Sequence, residues 1–126
     1  MKDLCRIMSK TEAGVGLERK FRVCVRLNGN HAIYAAHFPE KPITPGVCLI
    51  QICKEIMERE AGHPLFVSLV KNVKFLQIVE PDKTPLLDFV FSSQEEDMTY
   101  VMGTEILDGT GAVMAKINLV LCKENI

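Results

Sequence analysis

His37 is the residue of this chain best placed by its surroundings to do chemistry. It opens the run His-Phe-Pro-Glu-Lys-Pro-Ile-Thr-Pro-Gly, and an apolar helical pattern, Val-Cys-Leu-Ile-Gln-Ile-Cys, follows at once. Proline fixes φ at about −65° and removes a backbone donor, so Pro39, Pro42 and Pro45 make the segment rigid and extended. Imidazole changes charge between about pH 5 and 8. A stiff loop that carries one to the mouth of a helix holds a base still. The helix itself is apolar over most of its circumference, interrupted by a narrow stripe of Gln51, Lys54, Glu55 and Glu58. Outside such a setting, His37 would read as a loop histidine without chemistry, and Gln51 and Glu55 as a solvated stripe.

The elements that must position these residues follow from periodicity. Leu4–Met8 reads as a short strand before a Gly-containing loop over residues 11–16. Phe21, Val23, Val25 and Leu27 alternate with Arg22, Cys24 and Arg26, the period-two pattern of a half-buried strand that ends in the turn Asn28-Gly29-Asn30. Thr44-Pro45 is a helix start, with a hydroxyl that can cap and proline at the first helical position. The pattern runs to Glu60 or Ala61 and stops at Gly62 and Pro64. Residues 66–70 and 73–79 read as strand, one long bent strand being an option, closed by Glu80-Pro81-Asp82. Three more strands span residues 86–91, 99–107 and 113–122, with Asp108-Gly109-Thr110-Gly111 turning between the last two. The sum predicts an α+β fold: one antiparallel sheet of five to six strands wrapped around one long central helix, in a single domain over 1–126.

With 126 residues, 48% of them hydrophobic, the chain can bury a real core. Fifteen Lys and Arg balance sixteen Asp and Glu, so there is no electrostatic footprint for nucleic acid or an anionic membrane. The first residues lack the apolar run of a signal peptide, and nothing approaches a membrane span, so a cytoplasmic protein is expected. Cys5, Cys24, Cys48, Cys53 and Cys122 show neither metal spacing nor a C-x-x-C pair and read as reduced, packed thiols. His31 and His63 are expected to be exposed and without a role.

Residues 37–51 resemble the active-site segment of the hotdog-fold 3-hydroxyacyl-acyl-carrier-protein dehydratases of the FabA/FabZ type. That family carries Gly-His-Phe-Pro-x-x-Pro-x-x-Pro-Gly-Val and then a helix with a carboxylate fourteen residues after the histidine. His37, Phe38, Pro39, Pro42, Pro45, Gly46 and Val47 match it. Residues 30–36 align without a gap to the family's Asn-Glu-Pro-Phe-Phe-x-Gly, with Ala36 in place of glycine. Residues 74–82 resemble the strand that ends in the family's Pro-Gly-Asp turn. The resemblance implies a hotdog homodimer, its sheets joined edge to edge, with further assembly left open. Each of two active sites would take the histidine from one protomer and the helix residue from the other. The acyl chain would lie beside the central helix. No cofactor is implied beyond the phosphopantetheine arm of a substrate delivered on acyl carrier protein or CoA.

Dehydrating a 3-hydroxyacyl thioester removes a weakly acidic Cα proton and expels hydroxide. The reaction needs a base, an acid and donors for the thioester oxygen. The resemblance makes His37 the base and the backbone N–H groups of Gly46 and Val47 the donors, at the positive end of the helix. Phe38 would contact substrate, and Tyr34 would line the acyl tunnel or serve as an ordinary packed aromatic. The acid is where the chain departs from the pattern. Gln51 stands at the carboxylate's position, and an amide can hold a hydroxyl or a water but cannot deliver a proton at neutral pH. Four residues on, where the family tends to have glutamine, stands Glu55. Residues four apart share a helix face at about 6 Å, so Glu55 is expected to supply the acid, directly or through a water held by Gln51. The expected function is a 3-hydroxyacyl-thioester dehydratase in fatty acid or related acyl or polyene biosynthesis. A non-catalytic hotdog partner subunit that lost the acid and an acyl thioesterase are the alternatives. Lys41, Lys54, Arg59, Lys71 and Lys74 could meet an acidic carrier, although scattered lysines are usually plain surface.

Overall fold

The alternating segments form six antiparallel strands, and the apolar run after Pro45 forms the long helix they wrap. A computed structural model describes residues 1–13 and 18–124. In chain order the elements are β1 (Cys5–Ala13), β2 (Glu18–Leu27), α1 (Ala32–Ala36), α2 (Gly46–Ala61), β3 (Leu65–Phe75), β4 (Leu86–Glu96), β5 (Thr99–Leu107) and β6 (Val113–Lys123). The strands lie in the order β1-β2-β4-β5-β6-β3, so β1 and β3 are the edges of one six-stranded sheet.

One face of the sheet packs on α2. Phe21, Val23, Val25 and Leu27 of β2 point inward, as do Phe89 and Phe91 of β4 and Ile117, Leu119 and Leu121 of β6. Phe21 and Phe91 are register partners whose rings stack with centroids 4.7 Å apart. Cross-strand aromatic pairs of this kind pin register as well as burying area. From the helix, Cys48, Leu49, Ile52, Cys53, Ile56 and Met57 close the core. All five cysteines are free thiols, and Cys48 and Cys53 are buried among the aliphatic side chains.

Several elements differ from the expected ones. β1 continues to Ala13, so residues 11–13 are strand, and residues 14–16 of the expected loop lie outside the described residues. β3 is one strand with irregularities in register at Val67/Leu69 and Val70/Asn72, which bend it, and it ends at Phe75 instead of Val79. The helix start is also shifted. Pro45 is the N-cap, with extended backbone (φ −60°, ψ 147°), and Gly46 is the first helical residue. The end is as expected: Gly62 adopts the left-handed conformation (φ 77°) that stops the helix.

The short helix α1 carries no strong pattern in the sequence. His31 caps it, its Nδ1 accepting from the N–H of Ile33 at 3.0 Å while Nε2 donates to the carbonyl of Lys2 at 2.9 Å. His31 is therefore half-buried with a structural role, instead of exposed without one.

Candidate functional site

The loop between α1 and α2 is pinned along its length, and His37 is its first residue. The His37 N–H donates to the carbonyl of Ile33 at 2.9 Å, and the N–H of Ile43 donates back to the carbonyl of His37 at 2.8 Å. Phe38 and Lys41 exchange backbone hydrogen bonds at 3.2 and 3.0 Å. The Thr44 N–H donates to the carbonyl of Val79 at 2.7 Å, tying the loop to the segment after β3. The His37–Phe38 peptide is cis. The imidazole itself is exposed, with the Phe38 ring edge-on at 5.6 Å between centroids.

Beneath the loop lies a buried polar pair. Tyr34, on α1, is 3% exposed and Thr44 is 4% exposed, and their hydroxyls are 2.9 Å apart. Thr44 thus bonds across to α1 and does not cap α2, which has no side-chain cap. Burial pushes the Tyr34 phenol upward, against the opposing pull of its bond to Thr44. Tyr34→Phe leaves the Thr44 hydroxyl buried without a partner, a cost of about 1–2 kcal/mol. Replacing both partners, Tyr34→Phe with Thr44→Val, is expected to recover most of that loss. Urea unfolding of the two variants measures the difference, and a double variant no better than the single one would break the assignment.

Gly46 follows at the first position of α2. Among the described residues, neither its N–H nor that of Val47 has an acceptor; the first hydrogen bonds of the helix come from Cys48 and Leu49 to the Pro45 carbonyl. The ring of Phe75 covers Gly46 so closely that a β-carbon there would stand 2.6 Å from Cε2 and 2.9 Å from Cε1. Val47 is 70% exposed, and Phe38, Phe75, Leu76 and Ile78 are each more than half exposed. Two unpaired donors at a helix N-terminus, rimmed by bare apolar side chains and fed by a histidine loop, can receive an oxygen that gains negative charge.

Gln51 and Glu55 lie farther along α2, both half-buried. Gln51 has no side-chain hydrogen bond among the described residues, while the Glu55 carboxylate pairs with the Met1 amine. Glu55 lines a cleft of about 350 Å³ between α2 and β1, with Cys5, Ile7, Ile52 and Arg59 among its walls. Along the chain, then, His37 and Phe38 open the loop, Gly46 and Val47 stand where it enters α2, and Glu55 lies farther along that helix. Phe75, Val79 and Thr44 are the positioning residues that sequence reasoning missed. Nothing in the sequence links position 75 to position 46, and Thr44 satisfied a capping pattern that it does not use. Among the described residues no cluster of three or more His, Cys, Asp or Glu is placed to hold a metal ion, and no helix is long and apolar enough to cross a membrane.

Residues 15–114 match the family model for ApeI-like proteins, described as ApeI dehydratase. Two relatives are 3-hydroxyacyl-(acyl-carrier-protein) dehydratases FabZ. That of Rickettsia akari (strain Hartford) is 25% identical over 100 residues, covering 73% of this chain and 69% of the relative. That of Clostridium acetobutylicum is 26% identical over 99 residues, covering 73% and 70%. Among solved structures, an uncharacterized protein from Erwinia carotovora subsp. atroseptica superimposes with a TM-score of 0.76 at 16% identity, over 95% of this chain and 97% of its own. The dehydratase heterocomplex ApeI:P from Xenorhabdus doucetiae gives 0.61 at 15% identity, over 92% and 100%. A hypothetical thioesterase from Streptococcus pneumoniae, solved with coenzyme A, gives 0.63 at 13% identity, over 93% and 87%. The architecture is the hotdog that the loop motif implied.

Proposed function

This chain belongs to the ApeI-like dehydratase family, and on that footing we propose that it removes water from a 3-hydroxyacyl thioester, carried by an acyl carrier protein, to give the trans-2-enoyl product. His37 takes the Cα proton. The N–H groups of Gly46 and Val47 receive the thioester oxygen as enolate charge builds. The C–O bond at C3 breaks as Glu55, parted from the Met1 amine and carrying a proton, protonates the departing hydroxyl through a water held by Gln51. Phe38 and Val47 supply apolar contact to the acyl arm, and Tyr34 holds the loop from beneath. The observation that carries this reading is the pinned loop, which bears an exposed imidazole and leads into a helix terminus with two unpaired donors.

A homodimer completes the proposal. β3 is an edge strand of eleven residues whose Phe66, Leu69, Val70 and Phe75 are 44–53% exposed, and it leads straight into exposed Leu76 and Ile78. A long apolar edge invites pairing with another strand. Joining β3 to β3 of a second copy would cover that edge and bring the helix of one protomer towards the loop of the other.

Gln51 favours a second reading, in which the chain binds acyl thioesters as the non-catalytic partner of an active dehydratase. One assay separates the two. Purified protein given a 3-hydroxyacyl-acyl-carrier-protein is expected to form the conjugated enoyl thioester, followed by its ultraviolet absorbance, and to hydrate the enoyl compound in reverse. Binding without turnover in either direction would leave the partner role. Release of free thiol instead would mean a thioesterase.

A further inference from the structure

The His37 backbone is held by a chain of hydrogen bonds that begins outside its loop, at the imidazole of His31. Nε2 of His31 stands 2.9 Å from the carbonyl oxygen of Lys2, and Nδ1 stands 3.0 Å from the amide nitrogen of Ile33. A carbonyl only accepts and a backbone N–H only donates, so Nε2 carries the hydrogen and Nδ1 is the acceptor. Both bonds call for the same neutral tautomer. The chain then passes through Ile33, whose N–H is capped by His31 and whose carbonyl accepts from the His37 N–H at 2.9 Å. One residue thus joins the two histidines, His31 as N-cap and His37 as C-cap of the five-residue helix α1.

A helix this short depends on its ends. It fixes several residues for few hydrogen bonds, and it has neither an acidic residue in its first turn nor a basic one in its last to complement the dipole. The side-chain cap therefore carries a large share of what keeps α1 closed. The support of the cap is itself fixed. Asn28 binds the same segment as His31 does, its Nδ2 donating to the Asp3 carbonyl at 2.9 Å and its N–H to the Leu4 carbonyl at 2.8 Å. The Asn28 carbonyl in turn accepts from the His31 N–H at 3.0 Å. Leu4 is fully buried, so the turn is fastened to the core. The middle of α1 has a separate anchor, the Tyr34 hydroxyl 2.9 Å from that of Thr44. Removing the cap loosens α1 around that anchor without detaching it.

We propose that His31 is a positioning residue for the base: held in its Nε2–H tautomer by Lys2, it caps Ile33, keeps α1 closed and so fixes the His37 backbone. A base has to be held to within about 0.5 Å of its productive place. The proposal rests on His37 acting as the base. Both nitrogens of His31 are engaged, so it acts through the backbone and not on substrate.

Two substitutions separate the cap from the Lys2 bond. His31→Ala removes both, whereas His31→Asn keeps an oxygen that can cap Ile33 and loses the ring nitrogen that reaches Lys2. In His31→Ala the NMR order parameter of the His37 N–H is expected to fall from about 0.85 to below about 0.6. Turnover of a 3-hydroxyacyl-acyl-carrier-protein should lose about tenfold in kcat, with KM within about twofold. His31→Asn should restore the order parameter and bring kcat to within about threefold of the natural chain. A lower overall stability, in a chain still folded at the assay temperature, moves neither readout. Unchanged order at His37 in His31→Ala overturns the proposal, as does unchanged kcat where the order falls, or a loss in His31→Asn as large as in His31→Ala. Should His31→Ala not fold, His31→Asn against the natural chain decides: retained order and kcat support the cap, and loss of either overturns it. A natural chain that forms no enoyl product overturns the dehydratase reading and the positioning of a base with it, while the order parameters show separately whether His31 holds the loop.

Discussion

His37→Ala is expected to lower turnover of a 3-hydroxyacyl-acyl-carrier-protein by about 10²- to 10⁴-fold, the range for removing a positioned general base. The effect should fall on the chemical step, because the fold holds the loop without using the imidazole. Both hydrogen bonds that fix the residue are made by its backbone, to Ile33 and from Ile43, and alanine retains them. The ring is exposed and contacts chiefly the neighbouring Phe38. Stability should therefore change by no more than about 0.5 kcal/mol, as for a surface substitution. Single-turnover kinetics beside a thermal melt measure both quantities. A variant that melts normally and turns over within threefold of the natural chain would remove His37 from the reaction.

The core was legible because burial on one face leaves a period-two record. Phe21, Val23, Val25 and Leu27 announce β2, and all four are buried against α2. The stop at Gly62 was equally readable, since few residues other than glycine adopt the left-handed conformation found there. The loop motif at residues 37–47 carries the family resemblance. What escaped the sequence depends on contacts between distant residues. The hydroxyl of Thr44 fits a capping pattern, yet it is taken by Tyr34, ten positions earlier. The ring that covers Gly46 comes from Phe75, across the helix and at the end of β3. His63 follows a helix stop, where a polar residue is normally solvated; in the fold its ring lies 6.3 Å from that of Tyr100 on β5, and its Nε2 is a buried atom. Single-residue patterns carry no information about such pairings.

The second large effect concerns the acid. Glu55→Gln is expected to cost about 10²-fold in dehydration, the low end for a general acid that works through water. Its carboxylate sits beside the Met1 amine in the cleft against β1, and Gln51 lies one helical turn nearer the unpaired donors of Gly46 and Val47. Gln51→Glu combined with Glu55→Gln moves the carboxylate to that nearer position while keeping the charge count of the helix. The exchanged pair should recover turnover to within about tenfold of the natural chain, since the acid regained is worth at least that much. A complementation test then asks whether two protomers build each site. In a mixture of His37→Ala and Glu55→Gln chains, random pairing makes half of the dimers mixed, and each of those holds one intact site of two. About a quarter of natural activity should return if base and acid come from different chains of a twofold dimer. Glu55→Gln with full activity would remove it as the acid, and a mixture as inactive as its components would place base and acid in one protomer.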